Sequence, residues 1–168
     1  VVKSLLTLTG NYTLSKEPLS INEIIEEITR LKANQFEYAN ISFIKCWDDQ
    51  LPIICADKNQ IRRVFLNIIE NACASMAEIK TEKRLTIRTE RQNEFVKISI
   101  SDTGPGIPRE YLPKMFEPFF SAKDYKKSKE GGLGLSIAYS IVNQHNGSIF
   151  TESELGNGAT FVIALPIN

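Results

Sequence analysis

Residues 101–108 read Ser-Asp-Thr-Gly-Pro-Gly-Ile-Pro, the most informative stretch of the chain for its fold. It follows a strand-like segment at 95–100 and supplies one carboxylate, Asp102, and two glycines within five residues. A carboxylate buried at a strand end can accept a hydrogen bond from an exocyclic amine, and glycines permit close approach and backbone angles that other residues avoid. An ordinary turn that begins with Asp is the alternative that this stretch alone leaves open.

Composition and charge are those of a globular domain. The 168 residues carry 20 basic and 20 acidic side chains, so the formal net charge is zero, and 42% of the residues are hydrophobic. We therefore expect no nucleic acid among the partners, because nucleic-acid binders carry a basic excess. The three cysteines lack metal-ligand spacing, and no stretch approaches the length of a membrane-spanning helix. We expect a cytoplasmic location without membrane contact for this fragment, whose parent protein can still be anchored in the inner membrane.

Two capping-box patterns mark the beginnings of helices. Ser20 and Asp57 are each followed three residues later by Glu or Gln, the spacing of a helix N-terminus. We predict helices from 21 onward, at 58–76, at 109–115 and at 133–144, a connector at 10–18, and strands at 41–47, 52–55, 84–90, 95–100, 148–151 and 159–165. Because hairpins recur without strict helix–strand alternation, we predict an α+β fold. It would be a two-layer α/β sandwich whose mixed, mostly antiparallel sheet carries helices packed on one face.

The helix at 58–76 carries two asparagines on its polar face. That face is expected to comprise Gln60, Arg63, Asn67, Glu70 and Asn71. Asn67 and Asn71 are four residues apart and can point carboxamide oxygens at one spot, and hard cations such as Mg²⁺ take oxygen ligands. Two solvated asparagines on an exposed face are the plainer alternative, although asparagine is a mediocre helix former.

Two further glycine clusters follow the Asp102 turn. The first, Gly131-Gly132-Leu133-Gly134-Leu135, leads into a helix, where backbone N–H groups and the positive end of the dipole form an anion site. A flexible hinge is the alternative interpretation. The second cluster, at 156–160, predicts a hairpin turn.

A polar segment lies between the first two glycine clusters. The sequence Met-Phe-Glu-Pro-Phe-Phe at 115–120 is expected to anchor it, and residues 121–130 are polar and rich in lysine. That composition suits a mobile lid over a phosphate site, and Lys123 is the candidate for contact with a phosphate.

Taken in order, these motifs resemble the catalytic ATP-binding domain of two-component sensor histidine kinases, within the superfamily of gyrase, Hsp90, histidine kinase and MutL ATPases. The resemblance covers residues 18–168 and rests on motifs at 67–72, 102–107, 116–120, 132–135 and 156–161. It implies the Bergerat-type ATP-binding fold for 18–168. Residues 1–17 would be the stub of a dimerisation helix and its connector.

The resemblance also implies roles for the matched residues. Asn71 would be the Mg²⁺ ligand, with Asn67 assisting near the phosphates, and Asp102 would accept from the adenine amino group. Thr160 would lie behind the adenine beside Asp102, and Lys123 would join the two asparagines as the catalytic set. The remaining cofactor-binding positions that it implies are Gly104, Gly106, Ile107, Phe119, Gly131, Gly132, Leu133, Gly134 and Leu135.

The implied function is transfer of the γ-phosphoryl group of Mg-ATP to a histidine on a separate dimerisation and phosphoacceptor hairpin, in two-component signalling with a cognate response regulator. ATP-hydrolysing relatives place a water-activating Glu where this chain has Asn67, and an amide cannot act as a base. A Ser/Thr protein kinase of the anti-sigma type and a non-catalytic nucleotide-sensing module remain as alternatives. We expect the fragment to be monomeric and without autophosphorylation in cis, and the parent to be a homodimer.

The chain departs from the family pattern at two places and also lacks the phosphoacceptor histidine of such kinases. Glu130 stands where the second glycine box often has Gly, and Cys-Ala-Ser at 73–75 supplies no basic residue after Asn71. The only histidine, His145, matches a structural turn at a helix end, and we do not expect it to be the phosphoacceptor.

Overall fold

The described part of the chain, residues 14–120 and 132–167 of a computed structural model, folds into three helices and seven strands. The helices are α1 (Ile21–Tyr38), α2 (Lys58–Ser75) and α3 (Gly134–Gln144). The strands are β1 (Glu17–Leu19), β2 (Ile41–Cys46), β3 (Ile54–Ala56), β4 (Lys83–Gln92), β5 (Phe95–Asp102), β6 (Ser148–Ser153) and β7 (Ala159–Pro166). None of the described helices has the length and apolar character that crossing a membrane requires.

Five strands form the main sheet, in the order β2-β4-β5-β7-β6. Only the pairing of β2 with β4 is parallel, so the sheet is mixed and mostly antiparallel, as the sequence predicts. The turn between β4 and β5 places Asn93 at φ 55°, a left-handed conformation that asparagine tolerates. Strands β1 and β3 form a separate two-stranded sheet, so residues 17 and 18 belong to a strand and not to the connector that the sequence predicts at 10–18.

The helices cover one face of the main sheet. Strand residues alternate between the two faces, so every second side chain can be apolar and pack against the helices. Along β5 the side chains of Val96, Ile98 and Ile100 are buried, and the residues between them are more exposed. The face of α2 opposite Asn67 and Asn71 is buried and includes Ile61, Phe65 and Ala72. The next position of the β5 alternation is Asp102, which therefore lies on the helix-covered face.

Two sequence predictions about local structure are wrong. Residues 109–115 form turns, because successive i→i+3 backbone hydrogen bonds replace a helical ladder over 108–120. Pro108, Pro113 and Pro118 lack an N–H donor and interrupt any i→i+4 ladder there. Gln60, predicted on the polar face of α2, is only 7% exposed, whereas its neighbours Lys58 and Asn59 are exposed.

The N-cap residue of α2, Asp57, is buried and joins the start of α2 to the end of α3. Asp57 Oδ1 accepts from Gln60 N at 3.1 Å, and Oδ2 accepts from Ser15 N at 3.1 Å. The Asp57 N–H donates to His145 Nε2 at 3.0 Å, while His145 Nδ1 donates to Ile141 O at 2.8 Å. These two bonds select one neutral tautomer of His145, and burial lowers its pKa.

Candidate nucleotide site

Asp102 is the centre of the candidate site. It is 6% exposed, and its Oδ1 accepts from the backbone N–H of Gly104 at 2.8 Å and from the Ser75 hydroxyl at 3.1 Å. Burial raises the pKa of Asp102, and hydrogen bonds from Gly104 N–H, Ser75 and the Ala159 backbone act against this rise. A buried carboxylate with these few donors is a strong acceptor for a further N–H group.

The glycines around Asp102 are required by contacts within the protein. A Cβ on Gly106, at φ 74°, would lie 2.2 Å from Glu154 O, and one on Gly158, at φ 78°, would lie 2.0 Å from Asp102 O. A Cβ on Gly104 would lie 2.6 Å from Asp102 Oδ1. These three positions therefore exclude side chains even before a ligand is considered.

Hydrogen bonds join the turn after β5 to the turn between β6 and β7. Gly156 N donates to Pro105 O at 2.8 Å. Ile107 N donates to Ser153 Oγ at 2.8 Å, and the Ser153 hydroxyl donates to Gly158 O at 2.7 Å. The two glycine turns thus form one continuous wall beside Asp102.

The expectation that Thr160 lies beside Asp102 is wrong. The register pairs Thr160 with Ser101 and Ala159 with Asp102, and the Thr160 and Ser101 hydroxyls are 2.9 Å apart. Because side chains alternate along a strand, Thr160 lies on the opposite face of the sheet. The neighbour of Asp102 on β7 is the buried Ala159.

The polar face of α2 connects Asp102 to the start of α3. Asn67 Nδ2 donates to Gly134 O at 2.9 Å, at the first residue of α3. Asn71 follows one turn later and is half-buried, and its carboxamide makes no hydrogen bond within 14–120 or 132–167. Ser75 follows after one more turn and contacts Asp102. The three side chains form a stripe about 12 Å long, at the helical rise of about 1.5 Å per residue.

The start of α3 leaves backbone N–H groups without a side-chain cap. Leu133 is the N-cap residue and makes no side-chain capping bond, so the first turn of α3 can receive an anion. Gly132, at φ 76°, packs against the backbone of Phe119 and Phe120. Phe119 is 51% exposed at the edge of this region.

The structure brings together only part of the candidate set. Leu133, Leu135 and Ile107 are partly buried against the core. Ile107 lies in the turn after β5 and Leu133 is the N-cap of α3, whereas Leu135 lies within α3. Lys123 and Gly131 lie outside the described residues, as does Glu130.

Sequence reasoning missed Ser75 and Ser153. The i, i+4, i+8 spacing of Asn67, Asn71 and Ser75 was the signal for the first, since such residues share a helix face. The contact of Ser153 with Ile107 N and Gly158 O comes from loop packing, which no local pattern records.

Known proteins share this architecture. Sporulation kinase C of Bacillus subtilis is 33% identical over 168 residues, covering 99% of this chain and 38% of that protein. Histidine kinase ThkA, solved in complex with response regulator protein TrrA, has a TM-score of 0.82 at 30% identity, with 99% of this chain and 46% of that chain covered. Full-length ShkA in complex with AMPPNP has a TM-score of 0.83 at 25% identity, with 98% and 35% covered.

The chain spans about a third of the length of the curated relatives it matches first. Residues 56–168, more than half of the chain, match one family along the segment that holds α2, the Asp102 turn and both later glycine clusters. The chain belongs to the family of histidine kinase-, DNA gyrase B- and HSP90-like ATPases.

Proposed function

We propose that this chain binds Mg-ATP and donates the γ-phosphoryl group to a histidine on a separate dimerisation and phosphoacceptor hairpin. The observation that carries the proposal is the stripe formed by Asn67, Asn71 and Ser75, which runs from the start of α3 to Asp102. One end of the stripe offers a hydrogen-bond acceptor for a nucleotide base, and the other end offers an anion site. The carboxamide groups lie between them.

The stripe gives a bound nucleotide one orientation. The adenine amino group would donate to Asp102, between the two joined glycine turns. The phosphates would lie toward Asn67 and the uncapped first turn of α3, where the helix dipole favours negative charge. AMPPNP, present in the solved ShkA complex, is an ATP analogue, which supports an adenine nucleotide as the ligand.

The residues present fit a magnesium ion that is held together with the nucleotide. Within the described ranges there is no group of three or more His, Cys, Asp or Glu side chains that could hold a metal. Mg²⁺ commonly takes one or two protein oxygens and fills its shell with phosphates and water. Asn71 would supply the protein oxygen, and the ion would supply charge neutralisation for phosphoryl transfer.

The side chains near the phosphates favour transfer over hydrolysis. Asn67 is an amide that cannot take a proton from water, and its Nδ2 is already bonded to Gly134 O. Phosphoryl transfer depends mainly on positioning and charge neutralisation, which these residues can supply.

The acceptor histidine must come from elsewhere. His145 is 3% exposed, and both of its ring nitrogens are hydrogen-bonded within the fold. A nucleophile must expose a free ring nitrogen to the γ-phosphate, so we expect no autophosphorylation in cis. A homodimeric parent that carries the acceptor hairpin, and a cognate response regulator like the one bound to ThkA, would complete the pathway.

The test is transfer of radiolabelled γ-phosphate to a supplied hairpin from the parent protein, with the hairpin's histidine replaced by alanine as the control. We expect an acid-labile product that depends on that histidine. An acid-stable product would indicate a Ser/Thr kinase, and ATP binding without transfer would indicate a nucleotide-sensing module. In parallel, Asp102→Ala should abolish ATP binding in isothermal titration, and unchanged affinity would exclude Asp102 as the adenine contact.

A further inference from the structure

We propose that Ser75 is a positioning residue of the nucleotide site: its hydroxyl holds the Asp102 carboxylate in the ionised form and in the rotation that receives the adenine amino group. This role rests on the proposed function, in which Asp102 is the adenine contact. Neither the family motifs nor the sequence pattern assigns it.

The geometry of the hydroxyl gives it two competing acceptors. Ser75 Oγ lies 3.1 Å from Asp102 Oδ1 and 2.8 Å from Ala72 O. A hydroxyl has one proton and donates to one acceptor at a time. An ionised carboxylate is the stronger acceptor, so the proton faces Asp102 when that group is charged and Ala72 O when it is not.

The carboxylate has little freedom to rotate. Gly104 N and Ser75 Oγ both donate to the same oxygen, Oδ1. A Cβ on Gly104 would lie 2.6 Å from Asp102 Oδ1 and 2.6 Å from Ser75 Oγ, so these groups meet without spare space. Removal of the hydroxyl would leave one of these two donors and a small gap.

Hydrogen bonds to Asp102 lower its pKa and so oppose the rise that burial causes. No charged side chain among the described residues contributes to this lowering. The ladder neighbours of Asp102 on β4 and β7 are Leu85 and Ala159, and neither of them titrates. From α2, the titratable neighbour is Cys73, and burial raises the pKa of its thiol to about 11. That thiol stays neutral below pH 8, so the ionisation of Asp102 depends on its hydrogen-bond donors.

The experiment compares Mg-ATP affinity of the wild type and of Ser75→Ala by isothermal titration between pH 8 and pH 5. The ratio of the two affinities at each pH cancels the titration of the nucleotide itself. Without the Ser75 donor the pKa of Asp102 rises further. The Mg-ATP affinity of the variant should therefore fall more on acidification than the affinity of the wild type. We expect the ratio of wild-type to variant affinity to increase by about threefold to tenfold, the scale of one ordinary net hydrogen bond.

Two further variants separate this role from a packing role. Thr29→Val also removes a buried hydroxyl that donates to a helical carbonyl, Ile25 O at 2.9 Å, but on α1, and its ratio should stay constant with pH. Ser75→Cys fills the space with a weak donor and should behave like Ser75→Ala. If the alanine variant does not fold, the same affinity ratio is measured with Ser75→Cys.

Three results would overturn the role of Ser75: a ratio that is constant with pH, a ratio that falls on acidification, or recovery in Ser75→Cys. If Asp102→Ala loses ATP binding and the Ser75 ratio is constant, only the role of Ser75 is wrong. If Asp102→Ala binds ATP normally, the adenine contact itself is wrong.

Discussion

At the scale of single residues, Gly158 ties the candidate site to the sheet. Its φ is 78°, and a Cβ there would lie 2.0 Å from Asp102 O. Gly158→Ala should therefore destabilise the fold by about 2–5 kcal/mol, since left-handed strain of about 1–2 kcal/mol adds to the overlap, which costs about 1–3 kcal/mol. Urea denaturation measures the loss.

Gly156 provides the matched control for that prediction. It has φ 89° in the same turn, but a Cβ there would meet nothing within 4 Å. Gly156→Ala should cost only the conformational strain, about 1–2 kcal/mol. Equal losses of stability in the two variants would show that overlap of the added Cβ with Asp102 O costs nothing.

The sequence predicts Asp102 as a buried carboxylate at a strand end, because it follows the strand-like segment 95–100 and precedes two glycines, and its burial in the structure agrees. It misplaced Thr160 by one residue, which in a strand is the difference between the two faces of the sheet. It also missed Ser75: the spacing from Asn67 and Asn71 places Ser75 on the same helix face, but its contact with Asp102, 27 positions away, does not show in the sequence. Residue types are readable locally, but the register that pairs distant strands and helices is not.

At the scale of elements, the caps of α1 and α2 differ in their surroundings. Asp57 is 3% exposed and accepts from both Gln60 N and Ser15 N. Asp57→Ala should destabilise the fold by about 2 kcal/mol, the upper end for a cap, because it leaves the buried N–H of Gln60 without its acceptor. Thermal denaturation followed by circular dichroism would measure it.

Ser20 provides the comparison, because its capping bond to Glu23 N is exposed and 3.4 Å long. Ser20→Ala should cost only about 0.5–1 kcal/mol, since water can replace the lost acceptor. A larger loss at Ser20 than at Asp57 would contradict the dependence on burial.

The same contrast explains which elements were predictable. Helices α1 and α2 begin with local capping signals, and their apolar periodicity continues for several turns. Strand β1 has three residues and exists through its pairing with β3, so its own sequence carries little signal. The predicted helix at 109–115 failed because prolines at regular spacing favour a series of turns.

At the scale of the whole molecule, α2 connects the structural and the functional parts of the chain. Its start is held by His145 at the end of α3, its middle contacts the beginning of α3 through Asn67, and its last turn contacts Asp102. Its opposite face is buried in the core. The position of the site stripe therefore depends on how α2 and α3 are joined at both ends of α3.

His145 makes that junction sensitive to pH. Burial lowers its pKa in the folded state, with the nearby charge of Lys16 lowering it further, against a value of about 6.5 in the unfolded chain. Below that value the unfolded chain binds more protons than the folded one, so the stability that neutral His145 contributes is complete above about pH 6.5 and is lost as the pH falls. The added slope can reach about 1.4 kcal/mol per pH unit for one proton.

His145→Gln removes this titration, and the wild type and the variant should be compared by urea denaturation from pH 8 to pH 5. The wild type should lose stability over this range relative to the variant, whatever their difference at pH 8. Asp102 has the opposite sign, because its raised folded pKa favours the folded state on acidification, but it is present in both proteins and cancels in the difference. Because His145 is the only histidine in the chain, parallel pH curves would mean that protonation of Nε2, which removes the acceptor of the Asp57 N–H, costs the folded state no stability.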